Sequence, residues 1–558
     1  MNHPNSNSSR FLQCVEATLL FVTALFLALH AVHLNADFPN HSPWMDWAKY
    51  TDEGWYGDAA IRHFQRGHWY LPGDFNPAAA LPVWPLLEAA LFRFTGVSLI
   101  AARALTVTIF SLILVASYFL LRRWQLLSSD NRTETSLVPA IAVLLLAVSP
   151  FCYVFTRMAI LEPLLIFLTL LSLLAASYAT PPVQRTALEP KTRPRQVLPT
   201  LALGLLLPLM ILTKTTAIFL FPAIAWLLWV RAGYRLRPFF RLSIPVATLT
   251  AVTWLTYYLF VVRPHFLPDY HYLFDANSYT GMTPSTILTV LGKTISDGLW
   301  MGNIVYPVAL LAALAVFLLG PRLLRNPLIP SLLLWAGGYA AFLAYHNNLQ
   351  PRYYLVIAIP LTLLIPVVFS GLWNSAFRTR SISEIYLHRV AITTIVAVIA
   401  VLTITDARQT LRYVRTPDYT FTRAAAQIHN IISSDPTHNP LILSISGSQL
   451  SLMTGLPSIC DDFGTMDLPV RIEAYHPGWY IAWNQVEDDK MDALSPAYHL
   501  QRIAAFPAFD DPERNLLILY RLDPAAPTLP ALPHRRSTHP RLIRTTFGQQ
   551  PRPTQLEH

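Results

Sequence analysis

Residues 201–230 read LALGLLLPLMILTKTTAIFLFPAIAWLLWV, a run whose one charged residue is Lys214. A helix of about 20 apolar residues spans a hydrocarbon core of about 30 Å, and Lys214 divides this run into two helix-length pieces. The same composition recurs on either side, at Leu144–Val148, Leu164–Ala179, Val308–Leu319 and Ala391–Thr403. Over 558 residues the chain is 53% hydrophobic and 13% charged, with mean hydropathy +0.39. Soluble domains carry about 25% charged residues, so a large soluble protein is a poor description of this chain.

Working outward from 201–230 gives eleven expected spans: 11–32, 100–121, 137–154, 162–179, 198–213, 215–231, 242–262, 302–320, 327–345, 353–373 and 389–405. The first is a retained span, because no small-residue cleavage site follows it. The net charge of +9 and pI of 9.4 raise the question of nucleic acid. The basic residues answer it, since they gather in alternate short connections. These hold Arg122, Arg123 and Arg132; Arg185, Lys191, Arg193 and Arg195; Arg231, Arg235, Arg237 and Arg241; Arg322 and Arg325; and Arg378, Arg380 and Arg389. Charge so placed is a topology signal, and the positive-inside rule assigns these connections and the N-terminus to the cytoplasm. The expected protein is a multi-pass protein of the inner (cytoplasmic) membrane, with membrane lipids as neighbours and no nucleic-acid partner. Its three cysteines, Cys14, Cys152 and Cys460, imply no disulfide framework.

Three long segments then lie outside: 33–99, 263–301 and everything after 405. In the first, Tyr56, Ala60 and Phe64 share one helical face, with Arg62 and Arg66 elsewhere, and Trp84, Leu87, Leu91 and Phe94 repeat the pattern. Helices of this kind lie in the membrane interface. After the last span a helix over Thr422–Ile432 and strands at Leu441–Ser446, Tyr480–Trp483 and Leu516–Leu522 are predicted. The expected organisation is a transmembrane domain at 1–405, a soluble external α/β domain at 406–524 and a disordered Pro- and Arg-rich tail at 525–558.

Ionisable residues within or beside a bilayer need a reason to be there. On the external side these are Asp52 and Glu53 in Asp52-Glu53-Gly54-Trp55-Tyr56, Arg157 and Glu162 between the third and fourth spans, Lys214, and Arg352 in Gln350-Pro351-Arg352-Tyr353-Tyr354. Carboxylates and cations at one depth suit a substrate carrying a phosphate and hydroxyls. The cations would hold the phosphate as leaving group, and a carboxylate would serve as general base. Each residue also has a plainer reading. Asp52 or Glu53 could cap a helix, Arg157 and Glu162 could form an ion pair, Lys214 could snorkel, and Arg352 could anchor the interface.

These motifs resemble the GT-C glycosyltransferases, in particular the branch holding the lipid A aminoarabinose transferases and the protein O-mannosyltransferases. The resemblance rests on Asp52-Glu53-Gly54-Trp55-Tyr56, Gly67, Pro82, Pro85, Gly96, Ala102-Arg103-Ala104, Arg157 with Glu162, and Leu212-Thr213-Lys214. It covers residues 11–260, and 350–360 more loosely. It implies a fold that is an all-α polytopic membrane protein of about eleven transmembrane helices with a small C-terminal soluble α/β domain. It implies transfer of a sugar from a polyprenyl-phosphate donor to an acceptor hydroxyl of a lipid, glycan or protein, inverting and without a metal. Asp52 would be the base, with Glu53 and Glu162 as the other catalytic carboxylates. Tyr56, Arg157, Lys214, Arg352 and Tyr353 would bind substrate. One departure is Glu162, where many relatives have Asp.

No cofactor is expected, since the lipid-linked sugar is a substrate. His265, Asp269 and His271 could be metal ligands, but loops rich in His and aromatics more often bind sugars, and no metal is expected. A transporter or flippase of lipid-linked sugars is the alternative, although paired halves with broken helices are missing from the sequence. A membrane scaffold presenting the C-terminal domain is a third reading.

Overall fold

The computed structural model of the chain describes residues 6–525 apart from 40–41, 129–135, 181–196, 277–282, 284, 302–304, 320, 325, 347–348 and 377–381. All but the first residue of the expected tail lies outside the described residues. So do Arg132, Arg185, Lys191, Arg193, Arg195, Arg325, Arg378 and Arg380.

Helix α1 (Ser6–His30) leads into the first long connection, which holds α2 (Asp52–Arg66) and α3 (Val83–Thr95). Then follow α4 (Leu99–Ser128), α5 (Val138–Val148), α6 (Pro150–Phe155) and α7 (Leu161–Tyr178). Next come α8 (Leu198–Thr213), a 3-10 turn (Thr215–Leu220), α9 (Phe221–Arg231) and α10 (Leu236–Tyr257), which continues as a π-helix (Tyr258–Phe266) into α11 (Leu267–Ala276). The rest of this part is α12 (Ile287–Asp297), α13 (Val305–Leu319), α14 (Pro321–Leu324), α15 (Leu328–His346), α16 (Leu355–Ala376) and α17 (Ile382–Arg415).

Among the described residues seven helical stretches are long and apolar enough to cross a membrane: Arg10–His30, Leu99–Gln125, Leu161–Tyr178, Leu236–Asp275, Leu328–His346, Pro351–Leu372 and Thr393–Ser433. They coincide with seven of the expected spans. The other four coincide with the shorter apolar helices Val138–Val148, Leu198–Thr213, Thr215–Arg231 and Val305–Leu318. The chain is therefore a multi-pass membrane protein whose membrane part is all-α. Two shortenings have visible causes. Pro150 starts a new helix, α6, whose N-cap Ser149 accepts from the Cys152 amide at 3.2 Å. Lys214 stands extended (φ −157, ψ 123) between α8 and the 3-10 turn.

Beyond α17 the chain folds as α18 (Thr420–Ser433), β1 (Ile442–Leu443), α19 (Gly447–Thr454), β2 (Ser458–Ile459), α20 (Leu468–Tyr475), β3 (Trp479–Trp483), α21 (Asp488–Leu494), β4 (Tyr498–Pro507) and β5 (Leu516–Pro524). The sheet order is β2-β1-β3-β5-β4, with parallel pairs β1–β2 and β1–β3 and antiparallel pairs β3–β5 and β4–β5. Strand β3 is buried along nearly all its length, as expected of a strand covered on both faces. The small C-terminal α/β part is thus present, and α17 runs unbroken across residue 405, ten residues past the expected boundary.

In the first connection the polar faces of the two helices are covered by protein and apolar side chains are left outward. In α2 the structure buries Arg62 and leaves Phe64 exposed. In α3, Trp84 faces inward with Glu88 and Phe92, while Leu87 and Phe94 are exposed. The reason is tertiary: α19 of the C-terminal part lies on α2. A Cβ on Gly54 would sit 2.0 Å from the Gln449 backbone nitrogen, so the two helices touch backbone to backbone. Amphipathic spacing cannot foresee a domain landing on the polar face. The segment 263–301, expected as a loop, is largely helical among the described residues and touches the first connection. Tyr70 stacks on Phe266 with ring centroids 3.7 Å apart, and Asn76 donates to Asp269 at 2.8 Å.

Candidate functional site

Helix α2 opens with two carboxylates in its first turn. Neighbouring helical positions point about 100° apart, so Asp52 and Glu53 project into different surroundings. Asp52 turns toward the membrane helices. Its Oδ2 lies 2.9 Å from Arg352 Nε, and its Oδ1 accepts from the Thr51 hydroxyl at 2.9 Å. Arg352 stands in a 3-10 turn (Pro351–Tyr354) just ahead of α16 and is held a second time by Asp46. The Asp46 carboxylate accepts from Arg352 Nη1 at 2.5 Å and from its backbone amide at 2.8 Å.

Beside this Asp46–Arg352–Asp52 set is a second buried pair, Lys214 with Glu162. Glu162 enters from the first turn of α7, and Lys214 from the break after α8 that extended backbone creates. Glu162 Oε2 is buried and has no hydrogen-bond partner. Both cations rest on one aromatic ring. Lys214 Nζ lies 4.1 Å and Arg352 Cζ 4.5 Å from the Tyr353 centroid, within cation–π range. Tyr56, one turn along α2, is within electrostatic reach of Asp52, Arg352, Tyr353 and Glu162. The cluster thus joins α2, α7, the α8 terminus and the α16 entry.

The structure does not bring Glu53 or Arg157 into that group. Glu53 accepts from Arg103 Nε at 2.7 Å, from Arg103 Nη2 at 2.6 Å and from the Ala159 amide at 3.0 Å. Gln449 reaches its other side at 3.4 Å. With its acceptor sites so occupied, Glu53 ties elements together and has little capacity left to take a proton. Arg157 donates to the Val32 and His33 carbonyls, each at 2.7 Å, and lies over the Tyr153 ring. Glu162 pairs with Lys214 and not with Arg157. Sequence reasoning missed Asp46, whose signal was a second acid in an aromatic-rich stretch six residues before Asp52. It also missed Tyr339 and His346, both within electrostatic reach of the Arg352 guanidinium.

Burial raises the Asp52 carboxyl above its ordinary value; Arg352 opposes that rise, and Asp46 and Glu162 add to it. A carboxylate so lifted binds a proton more readily than a solvated one, which is what a general base requires. Named together, Asp46, Asp52 and Glu162 outnumber Lys214 and Arg352 by one charge. An anionic ligand reaching the two cations therefore competes with carboxylates already on them.

Among the described residues no group of three or more His, Cys, Asp or Glu is arranged to hold a metal ion. A cleft of about 610 Å³ opens elsewhere, lined by His68, Tyr70, Leu71, Pro72, Met466, Ala474 and Tyr475. It lies beyond the far end of α2, about 20 Å along the helix from Asp52 by helical rise, and does not coincide with the charged cluster.

No family model matches the chain, and no curated protein matches it by sequence. Solved structures do. ArnT from Cupriavidus metallidurans bound to undecaprenyl phosphate superposes with a TM-score of 0.59 at 13% identity, covering 90% of this chain and 98% of that one. The same protein in the apo state gives 0.55 at 13% identity, covering 91% and 98%. At this identity the likeness concerns the fold, and it extends over nearly the whole of both chains. The chain has the GT-C fold, as its motifs led us to expect.

Proposed function

We propose that the chain is a membrane glycosyltransferase that takes a sugar from a polyprenyl-phosphate donor and transfers it to an acceptor hydroxyl at the external membrane face. The observation that carries this reading is the placement of Lys214 and Arg352 on the single ring of Tyr353, with Asp52 and Glu162 beside them. Two fixed cations can stabilise the charge that grows on a departing phosphate, in a buried site where such stabilisation is strongest. The GT-C fold, shared with a protein crystallised with undecaprenyl phosphate, makes a lipid phosphate the natural anion.

In this reaction the acceptor oxygen attacks the anomeric carbon, the bond from that carbon to the phosphate oxygen breaks, and polyprenyl phosphate leaves with the electron pair. The hydroxyl proton passes to Asp52. The attack inverts the anomeric centre and calls for no metal. Arg352 holds Asp52 and takes the phosphate when donor arrives, Lys214 does the same from Glu162, and Tyr353 keeps both cations in place. Glu162, with one oxygen already unpartnered, is released to accept from sugar or acceptor hydroxyls. Glu53 and Arg157 act outside this cluster, as links between elements. The N-terminus is cytoplasmic and the C-terminal part external, following the basic connections.

The test is release of polyprenyl phosphate from a purified polyprenyl-phosphate sugar in the presence of a hydroxyl acceptor. Release by the chain and its loss in Lys214→Ala are expected. Movement of intact donor across a vesicle membrane without cleavage would favour a flippase instead.

A further inference from the structure

The C-terminal part is attached to α2 on both sides of Asp52. Before it, the Tyr50 hydroxyl donates to Asp511 at 2.7 Å, and the Tyr50 ring meets Trp483 and Phe509 edge-on at 4.7 and 5.1 Å. Arg514 lies 3.7 Å over the Trp47 ring in the same seam. After it, the Gly54 amide donates to Gln449 Oε1 at 2.9 Å while Gln449 Nε2 reaches Glu53. Only three residues, Thr51, Asp52 and Glu53, separate the two anchors. The seam continues along α2. Trp55 donates to the Ile445 carbonyl at 3.2 Å, Ser448 to Asp58 at 2.5 Å, Gln65 to the Ser451 carbonyl at 3.0 Å and Arg66 to the Ser458 carbonyl at 3.2 Å. Lys214 and Glu162, by contrast, are carried by membrane helices.

We propose that Gln449 and Asp511 are positioning residues through which the C-terminal domain sets the place of Asp52 against a donor held by the membrane helices. This rests on the reading of Asp52 as general base. A base must lie within hydrogen-bond reach of the hydroxyl it deprotonates, and a displacement of about 1 Å can cost about 10²-fold in rate. The first turn of α2 is held from two sides: Arg103 and the Ala159 amide take Glu53 from the membrane part, and Gln449 and Asp511 hold the side facing the C-terminal domain. Loosening either anchor leaves this turn with its membrane-side contacts alone, so Asp52 shifts, while Asp46 keeps Arg352 and Glu162 keeps Lys214 in place.

The experiment uses the full chain, purified, as wild type, Gln449→Met, Asp511→Ala and Asp511→Asn. Amide hydrogen exchange over residues 50–56 and 442–459 is measured with initial rates against donor concentration. Expected for Gln449→Met and Asp511→Ala is faster exchange over 50–56 with 442–459 still protected, kcat lowered about 10- to 10²-fold and donor KM within about twofold. Asp511→Asn keeps an oxygen for the Tyr50 hydroxyl and is expected to recover both readouts. Unchanged exchange over 50–56 overturns the inference, as does loss of protection across 442–459 in all three variants, which marks a merely structural role. If the wild type releases no polyprenyl phosphate, the functional reading fails and exchange alone decides: faster exchange confined to 50–56 supports the anchors, and no change overturns them.

Discussion

At the scale of residues the site is an arrangement of buried charges, and its legibility depended on whether a charge stood alone in the sequence. Lys214 was visible because nothing else in residues 201–230 is charged. Arg352 was visible beside two tyrosines. Asp46 was not, since the partner that explains it lies 306 positions away. Glu53 shows a related limit. A carboxylate next to Asp52 looks equivalent in a string, and only the 100° turn between adjacent positions sends it to Arg103 instead. Asp46→Ala removes two hydrogen bonds from Arg352, which Asp52 still neutralises, and a lost buried hydrogen bond to a charged group costs about 1.5–3 kcal/mol. A markedly lower thermal midpoint of the detergent-solubilised protein is expected, and an unchanged midpoint would mean the pair contributes little. Lys214→Ala and Arg352→Ala should weaken donor binding as well as turnover, seen as a raised KM and a lowered kcat. An effect on kcat alone would place both cations away from the ground-state phosphate.

Among elements, α2 decides the geometry. Its existence was legible from spacing and from the acidic first turn, but the burial of its polar face was not, because that is imposed by a domain some 390 residues later in the chain. Gly54 is the point of closest approach. Gly54→Ala would drive a Cβ to 2.0 Å from the Gln449 nitrogen, and overpacking against backbone costs about 1–3 kcal/mol. Faster proteolysis between α18 and β5 would report that separation, and wild-type resistance would contradict it. Asp58, in the same seam between Arg62 and Ser448, is held up to about 6 by burial. Its folded value exceeds its unfolded value of 3.8, so the folded state binds the proton more tightly. The stability this adds is full below pH 3.8 and is lost as pH rises through about 6, at most about 3 kcal/mol. Asp58→Asn should flatten the fall in thermal midpoint between pH 4.5 and 7. Burial holds Asp461 up to about 7, so a smaller slope should remain. An identical slope in wild type and variant would remove Asp58 from the account.

For the whole molecule, composition alone specified a multi-pass membrane protein, because backbone in hydrocarbon must satisfy itself within helices. What composition could not specify was docking: the sheet order, the α19–α2 seam and the course of α17 past residue 405 all depend on contacts distant in sequence. Orientation rests on the distribution of Arg and Lys. Reporter fusions after Arg195 and after Thr420 should therefore report opposite compartments, and the same compartment for both would overturn it. The central claim is that Asp52 removes a proton while the cations of the membrane helices hold the donor phosphate. It is tested most directly by initial transfer rate against donor concentration for wild type and Asp52→Asn at matched yields. Asn keeps the size and much of the hydrogen bonding of Asp but cannot take the proton. Turnover should fall by at least about 10²-fold while donor binding persists. Near-normal turnover in Asp52→Asn would contradict the account.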